Sequence, residues 1–97
     1  MAKISVERTL LSKLILRALN CNQIMVLLGI YEYEYSSISS ILRALEIEKG
    51  IPLSTLKLNA RILKELELVD FSDSGGLRGA RLTEAGNAIL DIVSEGV

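Results

Sequence analysis

Lys57, Arg61 and Lys64 follow one another at spacings of four and three residues, which stacks three cations along one side of a helix. Such a row suits a polyanion. The ammonium groups meet phosphate oxygens, and Arg61 adds the planar fork that recognises guanine through two hydrogen bonds. Ser54, Thr55 and Asn59 lie near enough to donate to phosphate or, where exposed, to adenine, and Leu58 shares the same face. Further on, Ser74-Gly75-Gly76-Leu77-Arg78-Gly79 forms a glycine-rich tip at which Arg78, with Arg81 beyond it, carries positive charge. The plainer alternative is a solvated helix face, with Arg61 beside Glu65 and Lys64 beside Glu67, followed by an ordinary exposed turn.

Other chemistries are poorly supplied. The chain has no histidine and a single cysteine, so neither a Cys/His nucleophile nor a Cys/His metal cluster can be assembled. No carboxylate pair falls in a catalytic motif, and neither a phosphate-binding P-loop nor Rossmann glycine spacing occurs. The chain is therefore expected not to be an enzyme and to need no cofactor or metal. Cys21 stands at the start of an apolar helix, where a small core residue is expected more readily than a redox sensor. One cysteine forms no internal disulfide, which fits a reducing, cytoplasmic setting. The longest apolar run, Ile24 to Tyr31, falls well short of the roughly 18 residues that span a bilayer, and no export signal is visible.

The 97 residues suit a single domain. Hydrophobic residues make up 49% of the chain and aromatic residues only 4%, so the core must be aliphatic. Ile4 to Leu19 has a helical stripe of Ile4, Leu11, Leu14, Ile15, Ala18 and Leu19, with Leu16 off it as a candidate second contact. Asn20 or Asn22 can cap a helix from Gln23 to about Tyr31 that is apolar nearly all round and so should be central. Tyr31-Glu32-Tyr33-Glu34-Tyr35 alternates with period two and predicts a short strand. Ser36 or Ser37 should cap a helix with Ile38, Ile41, Leu42 and Leu45 on one side, closing at Lys49-Gly50. Pro52 opens the next helix, about Leu53 to Glu67, unless Ser54 or Thr55 caps it instead, with Leu56, Ala60, Leu63 and Leu66 inward and Asn59 at the margin. Leu68 to Ser72 and Ala80 to Leu82 should pair across the tip. Thr83 should cap a last helix with Ala85, Ala88, Ile89, Ile92 and Val93 as its apolar positions.

Charge is unevenly distributed although the net is −1. Residues 1–20 carry +3, residues 21–48 carry −3, residues 49–81 carry +2 and residues 82–97 carry −3. A locally basic face on a near-neutral chain suits selective binding of an anion better than general coating.

The order of elements, together with Leu63-Lys64-Glu65-Leu66-Glu67-Leu68-Val69, Leu82-Thr83-Glu84-Ala85-Gly86 and the small-polar start Ser54-Thr55-Leu56, resembles winged helix-turn-helix regulators of the MarR/ArsR/PadR kind over about Gln23 to Leu90. The Ile/Leu/Glu/Lys-rich composition without His or Trp would suit an archaeal or viral member. The resemblance implies a mainly α fold with a small β-hairpin wing. It places an N-terminal helix in 1–20, a winged-helix core in 21–83 and a C-terminal helix in 84–97. It further implies double-stranded DNA as the partner, with the 53–67 helix in the major groove and the 73–81 wing on backbone or minor groove. Ser54, Thr55, Lys57, Leu58, Arg61, Lys64, Arg78 and Arg81 would be the contacts. A homodimer through the first and last helices would act as a transcription regulator. Two rivals stand beside it: a protein-interaction module in a larger assembly, suggested by Leu58 and the acidic patches, and a small-molecule sensor using Tyr31, Tyr33 and Tyr35. Two departures from the family pattern matter: Glu67 stands where the family usually has glycine, and the Glu46–Leu53 connection is longer than usual.

Overall fold

The structure, a computed structural model, describes residues 13–15, 17–72 and 79–96, with the backbone alone at residues 95 and 96. The expectations for Ile4, Leu11 and Leu16 and for the wing tip with Arg78 fall outside these residues. The described part is mainly helical. Helical residues 13–15 and 17–18 precede α1 (Cys21–Glu32), α2 (Ile38–Lys49) and α3 (Leu53–Glu65). An antiparallel pair, β1 (Val69–Asp70) and β2 (Arg81–Leu82), leads into α4 (Glu84–Gly96). Among the described residues no helix is long and apolar enough to cross a membrane.

The helix starts follow from local chemistry. Asn20 caps α1 in a reciprocal box: its Oδ1 accepts the Gln23 N–H at 2.8 Å, and its own N–H donates to Gln23 Oε1 at 3.1 Å. Ser37 caps α2 by accepting the Ser40 N–H, and Gly50 closes that helix in the left-handed region at φ 69°. Pro52 stands at the head of α3 without a side-chain cap, and Ser54 and Thr55 lie inside the helix. Thr83 Oγ1 accepts the Gly86 N–H at 3.1 Å and so caps α4.

α1 is the central helix. It packs against α2, α3, β2 and α4, and Val26, Leu27 and Ile30 are fully buried among Ile41, Leu56 and Leu63. Its apolar girdle exceeds what the core can cover, however, and Leu28 stays half exposed while Cys21 faces solvent. The expected core setting of Cys21 is thereby corrected.

Three packing expectations also change. Tyr31–Tyr35 is not a strand. α1 carries on through Glu32, the Tyr33 N–H still bonds to Gly29 O, and Tyr35 turns the chain at φ 72° toward the Ser37 cap. Four residues between helix end and cap leave no length for a strand. Leu66, expected inside, is 53% exposed because α3 has already ended at Glu65. On α4 the buried residues are Gly86 and Leu90, with Ile89, Ile92 and Val93 half-buried and Ala85 and Ala88 exposed.

The turn from α1 to α2 nevertheless does the work of a third strand. The Tyr35 N–H bonds to Ala80 O at 2.7 Å and the Ala80 N–H to Ser36 O at 2.8 Å. Glu34 Oε2 then accepts the Leu82 N–H at 3.1 Å, so a side-chain carboxylate stands where a neighbouring strand's carbonyl would be. Gly79 fits beneath this turn because a Cβ there would lie 2.0 Å from Tyr35 O.

α3 passes into β1 through a tight turn. The Glu67 N–H bonds to Lys64 O and the Leu68 N–H reaches back to Leu63 O, which closes the helix in a Schellman motif. The motif needs a left-handed residue between them, and Glu67 supplies it at φ 63°. A side chain there is strained by about 1–2 kcal/mol. Thr83 Oγ1 donates to Glu67 O at 2.7 Å and the Thr83 N–H donates to Leu68 O at 3.0 Å, so β2 and α4 are pinned to the same turn.

Two outcomes are expected. Glu67→Gly should stabilise the fold by about 0.5–1 kcal/mol, the relief of strain being partly offset by a looser unfolded chain. A thermal melt would register this as a rise of about 3–6 °C. Glu34→Ala should cost about 1–3 kcal/mol in chemical denaturation by stranding the buried Leu82 N–H, whereas Glu34→Gln, which keeps an acceptor, should recover most of it.

Candidate nucleic-acid interface

α3 turns Leu56, Asn59, Ala60 and Leu63 to the core and leaves Ser54, Lys57, Leu58, Arg61 and Glu65 exposed. Thr55 is half-buried. The outer face of α3 is therefore the one expected from the sequence, with Leu58 59% exposed in its middle. Among the described residues Lys57 and Arg61 have no ion-pair or hydrogen-bond partner. The expected pairing of Arg61 with Glu65 does not form.

Lys64 is placed differently. Its ammonium donates to Phe71 O at 2.7 Å and sits 4.7 Å from the centre of the Phe71 ring. Phe71 is buried at the base of the wing, so Lys64 ties α3 to the segment that leaves β1. Both contacts draw the charge toward protein groups and away from the row formed by Lys57 and Arg61.

Asn59, read from the sequence either as a polar contact if exposed or as a residue at the core's edge, takes the second of these places. It is 5% exposed. Its Nδ2 donates to Thr55 O at 2.8 Å, and its Oδ1 lies 3.5 Å from Asn20 Nδ2. Asn59 thus couples the cap of α1 to α3 and has no path to a ligand.

A residue missed in the sequence joins the face instead. Arg43 of α2 is exposed and, among the described residues, likewise unpaired. It borders a cleft of about 290 Å³ between α2 and α3, whose walls include Ser39, Lys57 and Arg61 and whose apolar depth includes Leu42 and Phe71. Three free cations from two helices thus surround one concave surface. Arg43 lies on the polar side of α2, and only the crossing with α3 reveals that this side adjoins Lys57 and Arg61.

On the wing, Arg81 pairs in register with Asp70 and holds its carboxylate at 3.3 Å, with both side chains exposed. An exposed pair of this kind is worth about 0–1 kcal/mol, so Arg81 remains available to a stronger anion. Of the three tyrosines, Tyr31 borders a groove between α1 and α2, whereas Tyr35 stands 72% exposed on the turn. Glu32 first, then Glu48, and lastly partial burial push the Tyr33 phenol above its usual pKa. Among the described residues no three His, Cys, Asp or Glu side chains gather as a metal site.

The division of labour among the basic residues has a measurable consequence. Lys64→Ala should lower stability by about 1–2 kcal/mol through loss of a charge-assisted hydrogen bond and the ring contact. Lys57→Ala and Arg61→Ala should each stay within about 0.5 kcal/mol of the parent, as exposed positions do. Denaturation of the three variants side by side checks this.

No family model, curated protein or solved structure matches the chain.

Proposed function

We propose that the chain is a winged helix-turn-helix protein that binds double-stranded DNA, acting in the cytoplasm as a small homodimeric transcription regulator. α3 enters the major groove, and the wing around residues 73–81 lies on the flanking backbone or minor groove. The observation that carries this reading is the set of unpaired cations Arg43, Lys57 and Arg61 around the α2–α3 cleft, on the exposed side of a helix followed directly by a hairpin. The order α1, α2, α3, β1, β2 supports the winged-helix assignment. In the duplex, Lys57 and Arg43 meet phosphates, and Arg61, nearest the middle of the outer face, reaches base edges. Ser54 and Thr55 at the head of α3 donate to the backbone, Leu58 packs against sugar or a thymine methyl, and Lys64 holds the wing in place.

Two copies related by a twofold axis would set their α3 helices about 34 Å apart, on successive turns of a near-palindromic site. With roughly three or four phosphates neutralised per copy, affinity should fall with salt at a log–log slope of about −5 to −7. Fluorescence anisotropy of a mixed-sequence duplex at about 50 and 200 mM salt tests this. Binding should be abolished in the Lys57→Ala/Arg61→Ala double variant while its circular dichroism stays unchanged. Equal affinity in that variant would rule out the α3 face. Absence of duplex binding even at low salt would favour a protein-interaction module, for which the exposed Leu58 and Leu66 are the supporting observation.

A further inference from the structure

A second surface is left over once the core and the α3 face are accounted for. Between α1 and α2 runs a groove of about 640 Å³ floored by Ile24, Met25, Leu28 and Leu45. Tyr31 forms part of its wall, and Leu28 is 47% and Tyr31 60% exposed. Glu32 and Glu48 stand on its border, with Lys49 as the only opposing charge among the lining residues, so the border is net negative. The raised pKa of the nearby Tyr33 reports the same field, since Glu32 and Glu48 are its main causes. An apolar floor with an acidic border is shaped for an amphipathic helix that brings an apolar side chain flanked by cations.

The chain carries such a helix. In the helical residues before α1, Ile15 and Leu19 turn to the chain's own core, while Lys13, Leu14, Arg17 and Ala18 are exposed on the other side. Leu14 is 55% exposed between the two cations, and the sequence continues the basic pattern upstream with Lys3 and Arg8. Among the described residues none of Lys13, Arg17, Glu32 and Glu48 has an ion-pair partner. None of the described residues before Cys21 lines the groove, so the two complementary surfaces do not satisfy each other within one copy.

We infer that the α1–α2 groove seats a second copy of this chain, receiving the partner's Leu14 between the groove walls and the partner's Lys13 and Arg17 against Glu32 and Glu48. A twofold axis makes the exchange reciprocal, so that two seats bury together what one offers alone. This locates the dimer contact on the donor helix and the α1–α2 groove. It is independent of the DNA reading, because neither surface includes Arg43, Lys57 or Arg61.

Sedimentation velocity of the full chain without DNA tests the seat. The parent should sediment as a dimer at about 100 µM, and Leu28→Lys, which puts a cation on the floor at a position already exposed, should weaken the dimer about tenfold or more. The Lys13→Glu/Arg17→Glu pair should weaken it, and so should Glu32→Lys/Glu48→Lys. The two pairs combined should restore it to within about threefold, because only their mutual contact is re-formed by a double reversal. A parent monomeric at that concentration, a Leu28→Lys variant that dimerises undiminished, or a combined variant that stays monomeric would each overturn the assignment. A monomer that still binds duplex would overturn this seat alone, and a dimer that binds none would overturn the DNA reading alone.

Discussion

The left-handed turn at Glu67 is the constraint on which the rest of the arrangement hangs. It ends α3 abruptly, so the chain leaves the helix at a fixed angle and enters β1 two residues later. Leu68, the first residue out, is gripped from both sides: its N–H returns to Leu63 O and its carbonyl receives the Thr83 N–H. That carbonyl also lies where a Cβ on residue 86 would be, at 2.0 Å, which is why α4 can settle against β1 only with glycine at that position. One strained residue therefore sets the relation of α3 to the hairpin and of the hairpin to the last helix. A glutamate is tolerated there because four hydrogen bonds converge on Glu67 and Leu68 from Thr83 and α3 itself, and together they outweigh a strain of about 1–2 kcal/mol.

The same turn decides which basic residues are free. Because β1 doubles back beside the end of α3, Phe71 comes under Lys64 and takes its ammonium. Arg61 and Lys57, about one and two turns earlier, are beyond the reach of the hairpin and keep their charges in solvent. The crossing of α2 over α3 then adds Arg43 from a different element. The row of three cations on one helix becomes three cations around a cleft plus one that holds the frame. A ligand approaching the cleft meets charge on two sides and an apolar floor beneath, a geometry that discriminates by shape as well as by charge.

The features that could be read in the sequence are those whose cause is local. Gly50 and Thr83, and Ser37 as one of two offered caps, act through hydrogen bonds or backbone conformations within a few residues, and type and position pointed to each. The central role of α1 was legible because an all-round apolar helix has nowhere else to go. Tyr31 to Tyr35 misled because period-two alternation over five residues is shared by a strand and by a helix end followed by a turn. What the pattern could not show is that the turn bonds to Ala80 and Leu82, more than forty residues away. The sequence leaves Asn59 between contact and core edge because its partner Asn20 lies 39 positions back. Leu66 reads as inward because α3 is carried to Glu67, two residues past its end at Glu65, and the buried Leu90 falls off the apolar stripe that the wheel gives the last helix. On the candidate site, Lys57, Leu58 and Arg61 were legible from spacing alone. Arg43 was not, since its side of α2 acquires meaning only from the helix it crosses.

In the proposed reading, charge distribution explains how a chain of net charge −1 would address a polyanion. Residues 1–20 and 21–48 carry +3 and −3, and among the described residues the cations Lys13 and Arg17 do not reach the acids Glu32 and Glu48 within one copy. An isolated copy thus presents a mixed field in which Glu32 and Glu48 oppose Lys13 and Arg17. Seating the basic helix of one copy in the acidic groove of another would cancel these opposing charges against each other. Arg43, Lys57 and Arg61 around the α2–α3 cleft would keep their charge in such a pair. At physiological salt, where the screening length is about 8 Å, a phosphate responds to the charges nearest it and hardly at all to the net charge of the whole. In a dimer built this way, assembly would itself sharpen the positive face, since the charges consumed in the seat are the ones that blur it in the single chain. Pairing would then contribute to DNA affinity in two ways: by doubling the number of cleft cations on one duplex, and by removing acids from the field that the duplex meets.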